Sequence, residues 1–183
     1  MGGNTRTWAK TMGDRLGLTM PLDRIERAIV GGVVERYRRD GPPLTDGAIE
    51  AVRRIAADYP VAVASSAHRD VIDAALRATG LLDVFAVVVS ADEVAHGKPA
   101  PDVYLEAARR LGADAADCLV VEDSINGVRA ARTAGMTVVL VPNHSIPPAP
   151  GTADSRTSCW LAWRTSIHHS SPWPILSHDR GVT

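Results

Sequence analysis

The sequence predicts an α/β protein with a three-layer, Rossmann-like parallel sheet, and three observations support this fold class. Short apolar runs alternate with stretches of helical periodicity, which is typical of parallel strands joined by helical crossovers. Polar or charged residues follow the ends of the apolar runs. The length of 183 residues suits one domain with a small appendage, and 45% hydrophobic residues are enough for its core.

The first forty residues are predicted to be helical. Apolar residues recur at helical spacing from Trp8 to Leu16 and again from Leu22 to Tyr37. The pair Gly31-Gly32 weakens the second run and could mark a kink. A Gly-Pro-Pro sequence at 41–43 ends this part of the chain, and a third amphipathic helix begins near Asp46.

Beyond Pro60 the pattern changes to alternating strands and helices. A glycine at position 80 follows the first of these helices, where a left-handed backbone conformation commonly ends a helix. Pro101 suits the first turn of the next helix, where its missing N–H costs nothing. The predicted strands are Val61–Ala64, Val87–Val89, Cys118–Val121 and Thr137–Val141, and the helices between them run from about Asp70 to Thr79, from Pro101 to Leu111 and from Val128 to Ala134.

Reactive groups follow three of the predicted strands. Ser65 offers a hydroxyl, Lys98 a fixed positive charge, and Glu122 and Asp123 a pair of carboxylates. Each has a structural alternative: a helix cap for the serine and the acids, and a surface lysine between prolines. Because the carboxyl ends of parallel strands share one edge of a sheet, we expect these groups to converge. Together they suit a phosphate ester with Mg²⁺ bound at the acids.

Composition excludes several classes of function. A net charge of −1 gives no electrostatic basis for binding nucleic acid or an anionic membrane, and no apolar run is long enough to span a bilayer. Cys118 and Cys159 lack metal or redox spacing, so a cytoplasmic protein with reduced thiols is predicted. No glycine fingerprint of a dinucleotide-binding domain is present. A phosphoacceptor receiver domain carries its acids before its lysine, the reverse of the order here.

Three segments carry a resemblance to a known family: VAVASSAHRDVI, SADEVAHGKPAPDVYLEAARRLG and CLVVEDSINGVRAARTAGMTVVLVP. They resemble the haloacid dehalogenase superfamily, in the subgroup of beta-phosphoglucomutase and related sugar-phosphate phosphatases. The resemblance implies a partial helical cap at 1–43 and the α/β core at 44–154. It also implies a small phosphorylated metabolite as substrate.

The same resemblance implies roles for individual residues. Ser65, with the neighbouring Ser66, would bind phosphate, and Lys98 would steady the transferring phosphoryl group. Asp123 would be the direct Mg²⁺ ligand, with Glu122 beside it in the metal site. His68 would lie near the mouth of the site and could contact substrate.

The sequence departs from the family where the nucleophile is expected. The family carries a D-x-D loop after its first, central strand, and this sequence contains no D-x-D. We therefore expect a sheet that is open between the strands ending at Ser65 and Glu122, and no phosphatase activity from this chain alone. Neither Asp70 nor Asp92 follows the right strand to replace the nucleophile. The alternative is a non-catalytic remnant or interaction module that needs a partner strand; the protein partner itself is unknown.

Residues 155–183 differ in character from the rest. They contain three of the four tryptophans and three of the six histidines, and they show no period. We expect a disordered tail here. The functional alternative is a metal-binding tract at His168, His169 and His178. Reading plausible codons one base out of register restores a Leu-Val-Leu-Ala-Ser-Leu strand of the kind the family carries, so a frame shift near Ser155 is our hypothesis. Sequencing the gene tests it.

Overall fold

The computed structural model describes residues 5–141 and the backbone of the short strand at 157–159. Helices precede an alternation of strands and helices, as the sequence predicts. The elements are α1 (Thr5–Leu16), α2 (Leu22–Asp40), α3 (Ala48–Ala56), β1 (Ala62–Ser65), α4 (Arg69–Thr79), β2 (Val87–Ser90), α5 (Asp102–Leu111), β3 (Leu119–Glu122), α6 (Ile125–Thr133), β4 (Thr137–Leu140) and β5 (Thr157–Cys159), with 3₁₀ turns at Ala91–Glu93 and Ala115–Asp117.

All strand pairs of the described residues are parallel, and they form two separate sheets. β1 pairs with β2, from Ala62 opposite Val87 to Ser65 opposite Ser90. The second sheet has the order β3-β4-β5. Within the described ranges, no strand pairing joins β1 to β3. The predicted α/β class with parallel strands is confirmed, and the sheet is divided where the sequence led us to expect an open position.

Apolar side chains between the strands and helices form the core. The largest apolar side chains that are fully buried are the valines at 89, 103, 128 and 138, each no more than 1% exposed. They come from β2, α5, α6 and β4, so one cluster contacts strands of both sheets. Full burial of such a side chain is worth about 1.5–3 kcal/mol relative to exposure. This shared core supports the strand ends at which the polar residues lie.

Local sequence explains where several elements begin and end. Gly80 and Gly112 end α4 and α5 in the left-handed conformation, with φ of 65° and 70°. The Ser124 hydroxyl caps α6 by accepting from the Gly127 N–H at 3.0 Å. α2 runs unbroken through Gly31 and Gly32, so the suggested kink does not interrupt the helix.

The helices α1 and α2 lie in the segment for which a partial cap is predicted; they pack against each other, and α2 packs against α4. Thr5 Oγ1 accepts a hydrogen bond from the backbone N–H of His68 at 3.0 Å, and Arg6 pairs with Glu26 at 3.4 Å. Strand β5 falls within the segment predicted to be a disordered tail. The other residues of that segment, including the three histidines, lie outside the described part, so disorder there stays a prediction. The described helices include none long and apolar enough to cross a membrane.

Candidate active site at the strand ends

Lys98 joins the ends of β1 and β3. Its Nζ donates to the backbone carbonyl of Ala64 at 3.1 Å and also donates to Glu122 Oε1. Both charged side chains are only 8% exposed. The structure therefore brings together the lysine, the end of the strand that carries Ser65, and the acidic pair, as the sequence led us to expect. The catalytic and binding roles of these residues stay predictions.

The Glu122 carboxylate is surrounded by donors. Besides Lys98, it accepts from the Tyr104 hydroxyl at 2.7 Å, the Asp123 N–H at 3.1 Å, and the Ser124 N–H and hydroxyl at 3.0 and 2.9 Å. Burial alone would raise the pKa of Glu122, but the Lys98 charge and these hydrogen bonds outweigh it and hold the pKa below its ordinary value. Glu122 is thus an anion whose lone pairs are already used by the protein.

Tyr104 is a component of this cluster that sequence reasoning treated only as a helix residue. It is 5% exposed, and the Lys98 ammonium lies 4.5 Å from the centroid of its ring. Burial and the Glu122 charge raise the pKa of Tyr104, so the phenol stays protonated and donates. The signal in the sequence was its position six residues after Lys98, in the first turn of the predicted helix.

Gly127 is a second component of this cluster. A Cβ atom at this position would lie 1.9 Å from Glu122 Cδ and 2.0 Å from its Oε1. No side chain fits there while the carboxylate keeps its position. The first turn of α6 therefore approaches Glu122 closely because residue 127 is glycine.

Ser65 is the last residue of β1, and Ser66 and His68 lie in the turn between β1 and α4. The Ser65 hydroxyl accepts from the Ala67 N–H at 3.1 Å, and Ser66 is half-buried beside it. His68 is the N-cap of α4, with Nδ1 accepting from the Asp70 N–H at 3.2 Å. The histidine thus has a clear structural role in addition to its predicted place near the site.

Asp123 is the exposed carboxylate at this edge, next to the buried Glu122. Mg²⁺ is commonly bound by one or two carboxylates together with water and substrate phosphate, so one exposed carboxylate fits part of such a site. Within residues 5–141, no group of three or more potential metal ligands of the His, Cys, Asp and Glu types comes together. Neither Asp70, on α4, nor Asp92, in the turn after β2, belongs to the Lys98–Glu122 cluster.

The fold and this cluster define an α/β protein with a charged site at the carboxyl ends of its parallel strands. Residues 1–135 match the family model for haloacid dehalogenase-like hydrolases. The chain belongs to this family, which confirms the resemblance seen in the sequence.

Relatives with known names support the assignment. The chain is 42% identical over 125 residues to the plasmid-encoded protein CbbY of Cupriavidus necator, covering 66% of this chain and 49% of the relative. It is 44% identical over 80 residues to the fructose-1-phosphate phosphatase YqaB of Escherichia coli, covering 44% and 43%. The chain spans less than half the length of the first curated relatives it matches, and only 22% of the bifunctional riboflavin kinase/FMN phosphatase of Arabidopsis thaliana.

Solved structures agree with the fold. CbbY from Rhodobacter sphaeroides, in a complex with phosphate, superposes with a TM-score of 0.63 at 31% identity, over 68% of this chain and 57% of that one. Beta-phosphoglucomutase from Clostridium difficile superposes with a TM-score of 0.60 at 20% identity, over 78% and 66%. The second likeness is one of fold alone.

Proposed function

We propose that the site at the strand ends binds the phosphoryl group of a small sugar phosphate, as part of a phosphatase or phosphomutase. The observation that supports this most is the placement of Lys98, whose ammonium lies between the end of β1 and the buried Glu122. An ammonium fixed at the edge where a serine hydroxyl and an exposed aspartate also lie suits a doubly charged phosphate ester. The named phosphatases among the relatives support the same class of substrate.

Each residue has a part in this proposal. Ser65 and the backbone of Ser66 would donate to phosphoryl oxygens, and Lys98 would neutralise their charge. Asp123 would hold Mg²⁺ with water and substrate oxygens, whereas Glu122 would keep Lys98 and the loop in place because its oxygens are already used. Bound Mg²⁺ would supply Lewis-acid stabilisation of the phosphoryl oxygens. We also propose that the protein acts in the cytoplasm.

We further propose that this chain alone does not turn over a phosphate ester, because its sequence contains no D-x-D nucleophile loop. The test is hydrolysis of p-nitrophenyl phosphate with Mg²⁺, using Asp123→Ala as the matched variant. We expect no turnover above the buffer for either protein. Robust hydrolysis that Asp123→Ala abolishes would contradict the inactivity and would mean that another residue acts as the nucleophile.

Phosphate binding can be tested apart from turnover. Titration of the ¹⁵N-labelled chain with inorganic phosphate and Mg²⁺ should shift the amide signals of Ser65, Ser66 and Lys98. Asp123→Asn should remove the Mg²⁺ dependence and leave the fold intact, since Asp123 is exposed. Shifts confined to other parts of the chain would refute the proposed site.

The divided sheet favours a second candidate function, an interaction module that needs a partner strand. β1 and β3 are each paired on one side only within the described residues, and Lys98 contacts the carboxyl ends of both strands. A synthetic peptide of five apolar residues followed by Asp-x-Asp tests both functions against a scrambled control. Slower amide exchange in β1 and β3 with hydrolysis of p-nitrophenyl phosphate would support the enzyme, and protection without hydrolysis would support the module. No protection would contradict the module.

A further inference from the structure

Ser90 is a buried polar residue to which the proposed function gives no part. It is the last residue of β2, is fully buried, and lies opposite Ser65 in the pairing of β1 with β2. A buried hydroxyl lowers stability unless its hydrogen bonds are satisfied. The partners of this hydroxyl therefore indicate what Ser90 does.

The oxygen and the proton of the Ser90 hydroxyl have different partners. The oxygen accepts from the Asp92 N–H at 3.2 Å, and the Ser90 N–H donates to Glu93 Oε1 at 3.0 Å, so that the pair caps the 3₁₀ turn after β2. This cap does not use the hydroxyl proton. The proton has two acceptors in contact, the backbone carbonyl of Ala67 at 2.7 Å and Asp92 Oδ2 at 3.3 Å. Since the first contact is shorter, the hydroxyl donates to the turn that follows β1.

Both backbone groups of Ala67 are held in place. Its carbonyl accepts from Ser90, and its N–H donates to the Ser65 hydroxyl oxygen at 3.1 Å. The next N–H along the chain, of His68, donates to Thr5 Oγ1 on α1 at 3.0 Å. The peptide unit between Ala67 and His68 is therefore fixed by β2 through its carbonyl and by α1 through its N–H.

This arrangement determines how Ser65 presents its hydroxyl. The Ala67 N–H can only donate, so the Ser65 oxygen acts as the acceptor on that side. Within residues 5–141 the Ser65 hydroxyl donates to no other residue. Its proton is thus available to a ligand that accepts hydrogen bonds, as the oxygens of a phosphoryl group do.

We propose that Ser90 is a positioning residue of the phosphate site. Its buried hydroxyl fixes the backbone of Ala67, and Ala67 in turn fixes Ser65 as a hydrogen-bond donor to the phosphoryl group. The inference rests on the proposed phosphate binding at Ser65. Ser90 acts only through the turn, because a fully buried side chain does not reach the ligand.

The test is a double-mutant cycle on the Kd for inorganic phosphate with Mg²⁺, measured by titration of the ¹⁵N-labelled chain. Ser90→Ala should raise the Kd at least about fivefold, and Ser65→Ala at least about tenfold. The double variant should bind no more than about twofold more weakly than Ser65→Ala, because residues that act through one contact are not additive. A merely structural effect of Ser90 would instead multiply the effect of Ser65→Ala.

Two further variants serve as a second probe and as a control. Ser90→Cys keeps nearly the same shape but has a weak donor, so its Kd should lie between those of the wild type and Ser90→Ala, and it takes the place of Ser90→Ala if that variant does not fold. Thr79→Val is the matched control. The Thr79 hydroxyl also donates to a backbone carbonyl, that of Ala75 at 2.9 Å, but at the other end of α4. Thr79→Val should keep the wild-type Kd.

The outcomes separate this inference from the proposed function. If the wild type does not bind phosphate, the proposed function is wrong and the role of Ser90 is wrong with it. If the wild type binds phosphate and the serine variants at position 90 keep its Kd, only the inference about Ser90 is overturned. Additive effects of Ser90→Ala and Ser65→Ala, or an equal rise of the Kd in Thr79→Val, would overturn it as well.

Discussion

Replacement of Gly127 by alanine should destabilise the protein although alanine is the better helix former. The new Cβ would lie 1.9 Å from Glu122 Cδ, so the carboxylate must move. Movement breaks its contacts with Lys98 and Tyr104, and breaking a buried ion pair costs about 3–5 kcal/mol. Alanine is more favourable than glycine inside a helix by about 1 kcal/mol, which offsets part of this cost in α6. We therefore expect a net loss of about 2–4 kcal/mol in the free energy of unfolding, from the same two terms.

The assay is urea unfolding at pH 7, followed by circular dichroism. Gly32→Ala is the matched control, because it also lies inside a helix but its added Cβ would meet nothing within 4 Å. It should stabilise the protein by about 0.5–1 kcal/mol. Opposite signs for the two alanines are the signature of the close approach to Glu122. If Gly127→Ala is as stable as Gly32→Ala, the contact between α6 and the carboxylate is wrong.

Three further predictions concern the same cluster. Tyr104→Phe removes one hydrogen-bond donor to Glu122 and should lower the free energy of unfolding in urea by about 1–3 kcal/mol. Tyr59→Phe, at an exposed position, should leave the free energy of unfolding almost unchanged. Lys98→Met leaves a buried carboxylate without its cation and should lower the free energy of unfolding by about 3–5 kcal/mol. The double variant with Glu122→Gln should recover part of this loss. If it recovers nothing, the two groups are not coupled. The pKa of Glu122 is lower in the folded protein than its ordinary value of 4.5. The contribution of ionised Glu122 to the free energy of unfolding should therefore be complete above pH 4.5 and should fall as the pH drops toward the folded pKa. Urea midpoints between pH 7 and pH 3 measure this, and Glu122→Gln should flatten the profile.

The order of elements and the meeting of the strand ends could be predicted from the sequence. Apolar runs bounded by glycine and proline mark the strands. Parallel strands predict that the residues after Ala64 and Val121 lie close together, and Lys98 contacts both Ala64 and Glu122. Lys98 reaches that edge from a loop, which the order of the motifs indicated. The open position between β1 and β3 was predicted from the absence of a D-x-D strand.

Side-chain neighbours across helices could not be predicted in the same way. Tyr104 has the spacing of a core residue, and periodicity does not distinguish packing from a hydrogen bond to Glu122. Gly127 follows a helix start, where glycine is common, and only the closeness of the Glu122 carboxylate to the place of a Cβ at residue 127 shows why glycine is required. The packing of α2 against α4 is likewise a tertiary contact that no local pattern encodes.

The edges of β1 and β3 that no strand of the described residues pairs also bear on how the protein behaves in concentrated solution. An exposed strand edge is a template for another chain, and neither Ala62–Ser65 nor Leu119–Glu122 contains a lysine or proline that would discourage such pairing. Val121, at 56% exposure, adds apolar surface beside one of these edges. Light scattering should therefore show monomer loss that accelerates with concentration, and Val121→Lys should slow it.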